Sequence, residues 1–186
     1  MPEAFVSDRI VFQRLTLNFL EILNLAINKN ITRLQPWMHW AQYKKASLED
    51  TEEAILAFQE YWEDEKTYTY VLLDKSKNED VFLGTIDLRV VNDILPSFSI
   101  GYWLDEDYTN KGLMVEAIDS IIEVACNEMN AIRFEIHCDP KNNASQKVAL
   151  KSNFKLESTA QSSSRDVNRN ITDTLIYTKI TLVIIF

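Results

Sequence analysis

The sequence predicts one mixed α/β domain, and three features carry that prediction. Apolar runs with period two are interleaved with stripes of period 3.6, in the order βααβββαβαββ. The 186 residues are 46% hydrophobic and 25% charged, enough to bury a single core, so residues 1–186 read as one domain. With only 3 Gly and 4 Pro, no repeat or flexible linker interrupts the pattern.

Residues 9–15 alternate roughly by two and read as a strand. Thr16 is the expected N-cap of a helix whose stripe is Leu17, Leu20, Ile22, Leu23, Leu25 and Ile27. Residues 34–40, broken by Pro36 and carrying Trp37 and Trp40, read as a loop or short helix. Ser47 and Asp50 form a variant capping box for a helix bearing Ile55, Leu56, Phe58 and Trp62. Strands follow at 67–73, 81–91 and 97–104, the first two joined by a polar turn at 74–80. The period then changes. Leu113, Met114, Ala117, Ile118, Ile121, Ile122, Ala125, Cys126 and Met129 mark a long amphipathic helix. A strand at 132–137, a short helix at 144–151, a strand at 154–157, a polar loop at 162–166 and a β-branched strand at 173–185 complete the chain.

Composition narrows the function. A formal charge of −9 argues against nucleic acid, which requires a positive footprint, and accords with a cationic or amine substrate. Cys126 and Cys138 cannot staple a fold of this size. The first residues lack a basic n-region and a long apolar run, so a cytoplasmic protein without a membrane segment is expected. His39 and His137 make no metal-spaced pair, and no metal site is expected.

Two of the three glycines, Gly101 and Gly112, bracket a segment running from a strand, through a polar loop, into the start of the long helix. A helix N-terminus offers free N–H groups and the positive end of a dipole to an anion. Lys111 adds charge, and Gly112 lets a ligand approach the backbone. Phosphate binding and a plain helix-entry turn both fit these features.

The residues from Ile100-Gly101-Tyr102-Trp103-Leu104-Asp105 to Tyr108-Thr109-Asn110-Lys111-Gly112-Leu113-Met114-Val115-Glu116-Ala117 resemble the acetyl-CoA motif of the GNAT N-acetyltransferases. The similarity is to their ribosomal-protein (RimJ/RimL-type) branch. Thr109 stands at the usual Gln/Arg position, Asn110 replaces a frequent glycine, Gly112 is the obligatory glycine and Met114 takes a small-residue position. A second block, Asp139 to Ala149 and then Lys151-Ser152-Asn153-Phe154, resembles the family's Asn-x-x-Ser helix and Lys-x-Gly-Phe, with Asn153 for the glycine.

The resemblance implies a twisted, mostly antiparallel sheet flanked by helices, with two splayed central parallel strands. It implies acetyl-CoA as co-substrate and direct attack by an amine in a ternary complex. Backbone groups of Tyr102, Trp103 and Leu104 would serve the pantetheine arm, and those of Thr109, Asn110, Lys111, Gly112, Leu113 and Met114 the pyrophosphate. Ser145 would protonate the departing thiolate, or else only bond locally in its helix turn. Asn142 is an N-cap or a cofactor contact, Tyr102 and Tyr108 are alternative acids, and His137 reads as a packed strand residue. His39 is placed to line a substrate pocket. The loop before the last strand holds no Glu for a base, leaving Asp166 as its carboxylate. An α-amine, with a pKa of about 7.7–8.0, needs less help than a Lys at about 10.4. The expected acceptor is therefore a protein N-terminal amine. A small-amine acetyltransferase and a non-catalytic CoA-binding member are the alternatives. Residues 182–186, all apolar, extend the last strand, seed a dimer or form a sticky edge; monomer and homodimer both stay open.

Overall fold

The fold comes from a computed structural model that describes residues 1–41 and 45–181. The His39 side chain and residues 182–186 lie outside the described residues, and with them the pocket and sticky-edge readings.

Among the described residues eight strands form one sheet: β1 (Ala4–Val6), β2 (Ile10–Arg14), β3 (Thr67–Asp74), β4 (Phe82–Asn92), β5 (Ser97–Leu104), β6 (Arg133–Cys138), β7 (Lys155–Arg165) and β8 (Ile171–Ile180). Their spatial order is β1-β2-β3-β4-β5-β6-β8-β7. The helices that cover it are α1 (Leu20–Leu34), α2 (Leu48–Glu63), α3 (Leu113–Met129) and α4 (Asn143–Lys151). Each face has its own apolar layer. Ile86, Leu88, Ile100 and Phe134 pack with Ile118, Ile121 and Ala125 of α3. Val71, Leu73, Phe82 and Trp103 pack on the other face with Leu23, Ala26 and Leu34 of α1 and Ile55 of α2. Each fully buried Leu or Ile contributes about 1.5–3 kcal/mol, so the long stripe of α3 anchors the first layer.

The sheet opens in one place. β4 and β5 pair antiparallel from Gly84↔Leu104 to Asn92↔Ser97. β5 and β6 pair in parallel only at Ser97↔Arg133, Phe98↔Phe134 and Ser99↔Glu135. Beyond that point β6 stays with β8 as far as Cys138↔Leu175, and β5 stays with β4. A V-shaped cleft therefore opens between Ile100 and Ile136. Along β5 every second residue turns its backbone groups away from β4, toward this cleft.

Several boundaries differ from expectation. The Ser47–Asp50 box caps α2 in both directions, but Thr16 gives no side-chain cap and a short 3₁₀ turn at Leu17–Phe19 precedes α1. Leu25 and Leu56, expected on the apolar stripes, are solvent-exposed. The expected polar loop at 162–166 is mostly strand: β7 runs through Arg165, and the turn to β8 is closed by Asp166 N–H on the Asn170 carbonyl. β7 lies at the sheet edge with almost no buried residue, so its polar side chains carry no burial pattern.

Candidate active site

Gly112 is the N-cap of α3 and sits at φ 77°, the left-handed region; Asn110 joins it at φ 61°. Asparagine is one of the few side chains that tolerates this conformation, so Asn110 keeps the loop shape that glycine usually gives. No side chain caps the first turn of α3, and its N–H groups point out at the loop. Leu113 and Met114 bury their side chains in the core and offer the loop only backbone. The Thr109 hydroxyl donates to the Glu106 carbonyl. Lys111 extends over the Tyr108 ring, its Nζ 4.9 Å from the centroid. This is an uncapped helix start behind a left-handed turn, with one lysine beside it. It suits the pyrophosphate of CoA.

Two braces hold the loop, and neither was read from the sequence. Glu116 accepts from the Ser7 hydroxyl (2.6 Å), the Arg9 N–H (2.8 Å) and Arg9 Nε (2.6 Å), while Arg9 Nη1 donates to the Lys111 carbonyl (3.0 Å). Burial disfavours the Glu116 charge, but these donors outweigh it and hold the carboxyl below the usual glutamate range. On the other flank, buried Asp105 accepts from Lys29 Nζ (2.7 Å) and Asn30 Nδ2 (2.9 Å) of α1, and Lys29 also reaches Asp107. Arg33 of α1 donates to the Leu104 carbonyl, so that oxygen, expected to serve pantetheine, is already engaged. The partners of each brace are far apart in the chain, which is why the pairings are silent in a linear reading.

At the cleft, Tyr102 extends to the first turn of α4, where its hydroxyl lies 3.0 Å from Ser145 Oγ. Asn142 caps this helix, its Oδ1 accepting from the Ser145 N–H at 3.1 Å. The Ser145 side chain is thereby released from capping. Burial pushes the Tyr102 hydroxyl well above the usual tyrosine range, although its bond to Ser145 pulls the other way, so it stays a proton donor. Burial raises the Cys138 thiol as well, again against a bond to Ser145. Hydroxyl, phenol and thiol thus converge at the α3–α4 side of the cleft.

The other side is aromatic. Trp103 is buried against Phe82 (5.4 Å between centroids) and Trp40 (6.3 Å), so only its backbone faces a ligand, while Trp40 and Trp37 stay exposed. His137 is hydrogen-bonded, its Nε2 2.6 Å from Glu135 Oε2, but it is not packed as expected: its side chain is 46% exposed. Asp166 accepts from the N–H groups of Asn168 and Asn170 in the β7–β8 turn, an ordinary turn-forming role. Among the described residues no His, Cys, Asp and Glu side chains cluster as a metal site, and no helix is long and apolar enough to cross a membrane.

A family model described as an acetyltransferase (GNAT) domain matches residues 9–155, most of the chain and both site blocks. The chain belongs to the GNAT acetyltransferases. This GNAT chain is 27% identical to the ribosomal-protein-serine acetyltransferase of Escherichia coli (strain K12) over 152 residues, 82% of each protein. The solved structure of the microcin C7 self-immunity acetyltransferase MccE, in complex with acetyl-CoA and AMP, superposes with a TM-score of 0.87 at 25% identity, covering 97% of this chain and 98% of that one. That of RimL, a ribosomal L7/L12 α-N-protein acetyltransferase in complex with CoA, gives 0.86 at 23% identity over 95% and 96%. The GNAT fold, with its mostly antiparallel sheet splayed at β5–β6, is the one the sequence motifs implied, and the MccE and RimL structures hold acetyl-CoA and CoA respectively.

Proposed function

We propose that this GNAT enzyme acetylates the α-amine at the N-terminus of a protein, by direct attack on acetyl-CoA held in the cleft. The observation that carries the chemistry is the Tyr102–Ser145 pair beside the point where β5 leaves β6. Acetyl-CoA supplies the activated acyl group on a thioester. The uncapped start of α3 holds the pyrophosphate, and alternate backbone groups of β5 hold the pantetheine arm as an added strand. Ser145, with Tyr102 behind it, donates the proton that the leaving sulfur needs. Asn142 positions Ser145 by capping its helix turn.

The acceptor class rests on the kinship with the ribosomal-protein-serine acetyltransferase, which covers most of both chains. An N-terminal amine is partly neutral at pH 7, with a pKa of about 7.7–8.0, and suits a site without the family's usual glutamate. Action on a ribosomal or other intracellular protein would place the enzyme in the cytoplasm, as monomer or homodimer. The MccE likeness favours a second reading, a small amine acceptor, since that structure holds a nucleotide beside acetyl-CoA. The departures at Asn110 and Met114 leave the loop in place, because Asn110 keeps the left-handed turn and Met114 points into the core. CoA release measured with N-terminal peptides, polyamines and amino acids decides between acceptors. Turnover on peptides supports the proposal; turnover on small amines alone overturns it in favour of the second reading.

A further inference from the structure

On the face of the sheet covered by α1 and α2, Asp87 of β4 is paired in register with Gly101 of β5 and with Thr69 of β3. Residues paired this way point to the same face. Val71 and Trp103, two positions further along their strands, pack into the α1–α2 layer and identify the face. A β-carbon at position 101 would lie 2.5 Å from Asp87 Oδ2 and 3.0 Å from Oδ1. The carboxylate therefore occupies the space that glycine leaves, and reaches across β5 toward the cleft. Pairing between β5 and β6 ends two residues earlier, at Ser99↔Glu135. Asp87 thus stands at the apex of the V, opposite in face to Tyr102 and Ser145.

The Gly101 N–H and the Arg89 guanidinium donate to Asp87. The Asp87 side chain is 20% exposed and pairs with Arg89 at 3.2 Å, itself 58% exposed. On the far lip Glu135 is already held between Arg133 at 2.9 Å and His137 at 2.6 Å. Thr69 is 5% exposed, and among the described residues its Oγ1 has no hydrogen-bond partner. A carboxylate beside the cleft, with the Thr69 hydroxyl behind it on β3, matches a cation that donates hydrogen bonds. Burial pushes the Asp87 carboxyl above the usual aspartate range, with Arg89 and the Gly101 N–H pulling it back.

We propose that Asp87 receives the acceptor's ammonium on the α1–α2 face of the cleft and takes one of its protons, a role that rests on the amine-acetylating function proposed above. One ammonium proton passes to Asp87, leaving a neutral amine. The nitrogen lone pair forms the C–N bond to the acetyl carbon as the C–S bond breaks, and the electron pair leaves on sulfur. The Tyr102–Ser145 pair protonates the sulfur and is reprotonated by the proton lost from nitrogen, through water. Asp87 returns its proton to solvent as product departs. The amine enters from one face of the sheet, and the thiol is protonated from the other.

The test compares the parent with Asp87→Asn, an isosteric change, on a Ser-starting peptide, on ethylamine, and on 2,2,2-trifluoroethylamine, which is neutral at pH 7. Asp87→Asn should lose about 10²-fold in kcat/KM on the peptide and on ethylamine, and less than about tenfold on the neutral amine. Calorimetry with CoA present gives a readout independent of turnover. The variant should bind the peptide about tenfold more weakly and its N-acetylated form as the parent does. Unchanged acetyl-CoA affinity and melting temperature certify the fold. Equal loss on all amines, or parent-like turnover on ethylamine, overturns the role of Asp87 while leaving the enzyme's function intact. A parent active on ethylamine but not on peptides overturns the protein acceptor, and Asp87 is then judged on ethylamine. A parent that acetylates no amine overturns both.

Discussion

The Tyr102 hydroxyl lies 3.0 Å from Ser145 Oγ, tying β5 to the first turn of α4 beside the widening cleft. Because Asn142 and not Ser145 caps that turn, chemistry and stability separate here. Ser145→Ala should lower kcat by about 10²-fold with acetyl-CoA affinity little changed, since a hydroxyl that protonates a leaving thiolate acts mainly in the transition state. Its melting temperature should stay close to the parent's. Asn142→Ala should instead cost about 1 kcal/mol of stability through the lost cap, with a smaller loss of kcat as the turn that positions Ser145 loosens. Steady-state kinetics and thermal melts on both variants check this; a fully active Ser145→Ala enzyme moves the proton donor to Tyr102 or water.

Gly112→Val should abolish acetyl-CoA binding. Space is not the obstacle, because an added β-carbon would meet only Arg9 Nη2, at 3.7 Å. The obstacle is φ 77°, which costs an ordinary L-residue about 1–2 kcal/mol and a β-branched one more. Relief of that strain reorients the first N–H groups of α3. Calorimetric titration with acetyl-CoA reads the loss, and parent-like affinity would place the pyrophosphate elsewhere.

The Glu116 brace should make the loop acid-sensitive. Its folded pKa is depressed, so the stability it contributes is present above the unfolded glutamate value of about 4.3 and is lost as pH falls through the folded value. Glu116→Gln should cost about 1–2 kcal/mol at pH 7, reduced from the charged-hydrogen-bond figure because Arg9 is half exposed. Denaturation curves at pH 7 and below pH 4 should show the difference between variant and parent shrinking in acid. An unchanged difference would remove Glu116 ionisation from the account.

Acetyl-CoA itself should raise the melting temperature. At about 100 times its Kd, a ligand that binds only the folded chain adds roughly 2.7 kcal/mol, or about 5–10 °C for a protein of this size. Differential scanning fluorimetry with acetyl-CoA and CoA checks this; no shift with either removes the cofactor assignment.

Much of this molecule is legible in its sequence where burial is periodic or a motif is local. α3 runs from Leu113 to Met129, as its stripe of Leu, Met, Ala and Ile marks, and the Ser47–Asp50 box closes within one turn. β1, three residues long, is too short for alternation to register. The start of β7 is read as a strand at 154–157, but its continuation to Arg165 hides because its exposed polar residues show no apolar alternation, and pairing with β8 makes it a strand. The loop at Asn110 and Gly112 could be read because left-handed positions select asparagine and glycine. Asp87 could not, since its meaning depends on which residue of β5 lies opposite, and sheet register between distant segments leaves no local trace.

The most direct test of the account is the product of one reaction. A peptide starting with Ser and carrying an internal Lys is incubated with acetyl-CoA and the enzyme, then sequenced by tandem mass spectrometry. The account predicts a single acetyl group on the N-terminal α-amine, an unmodified Lys, and no reaction when that terminus is blocked. Acetylation of the Lys side chain, or an unmodified peptide in the presence of bound acetyl-CoA, would contradict it.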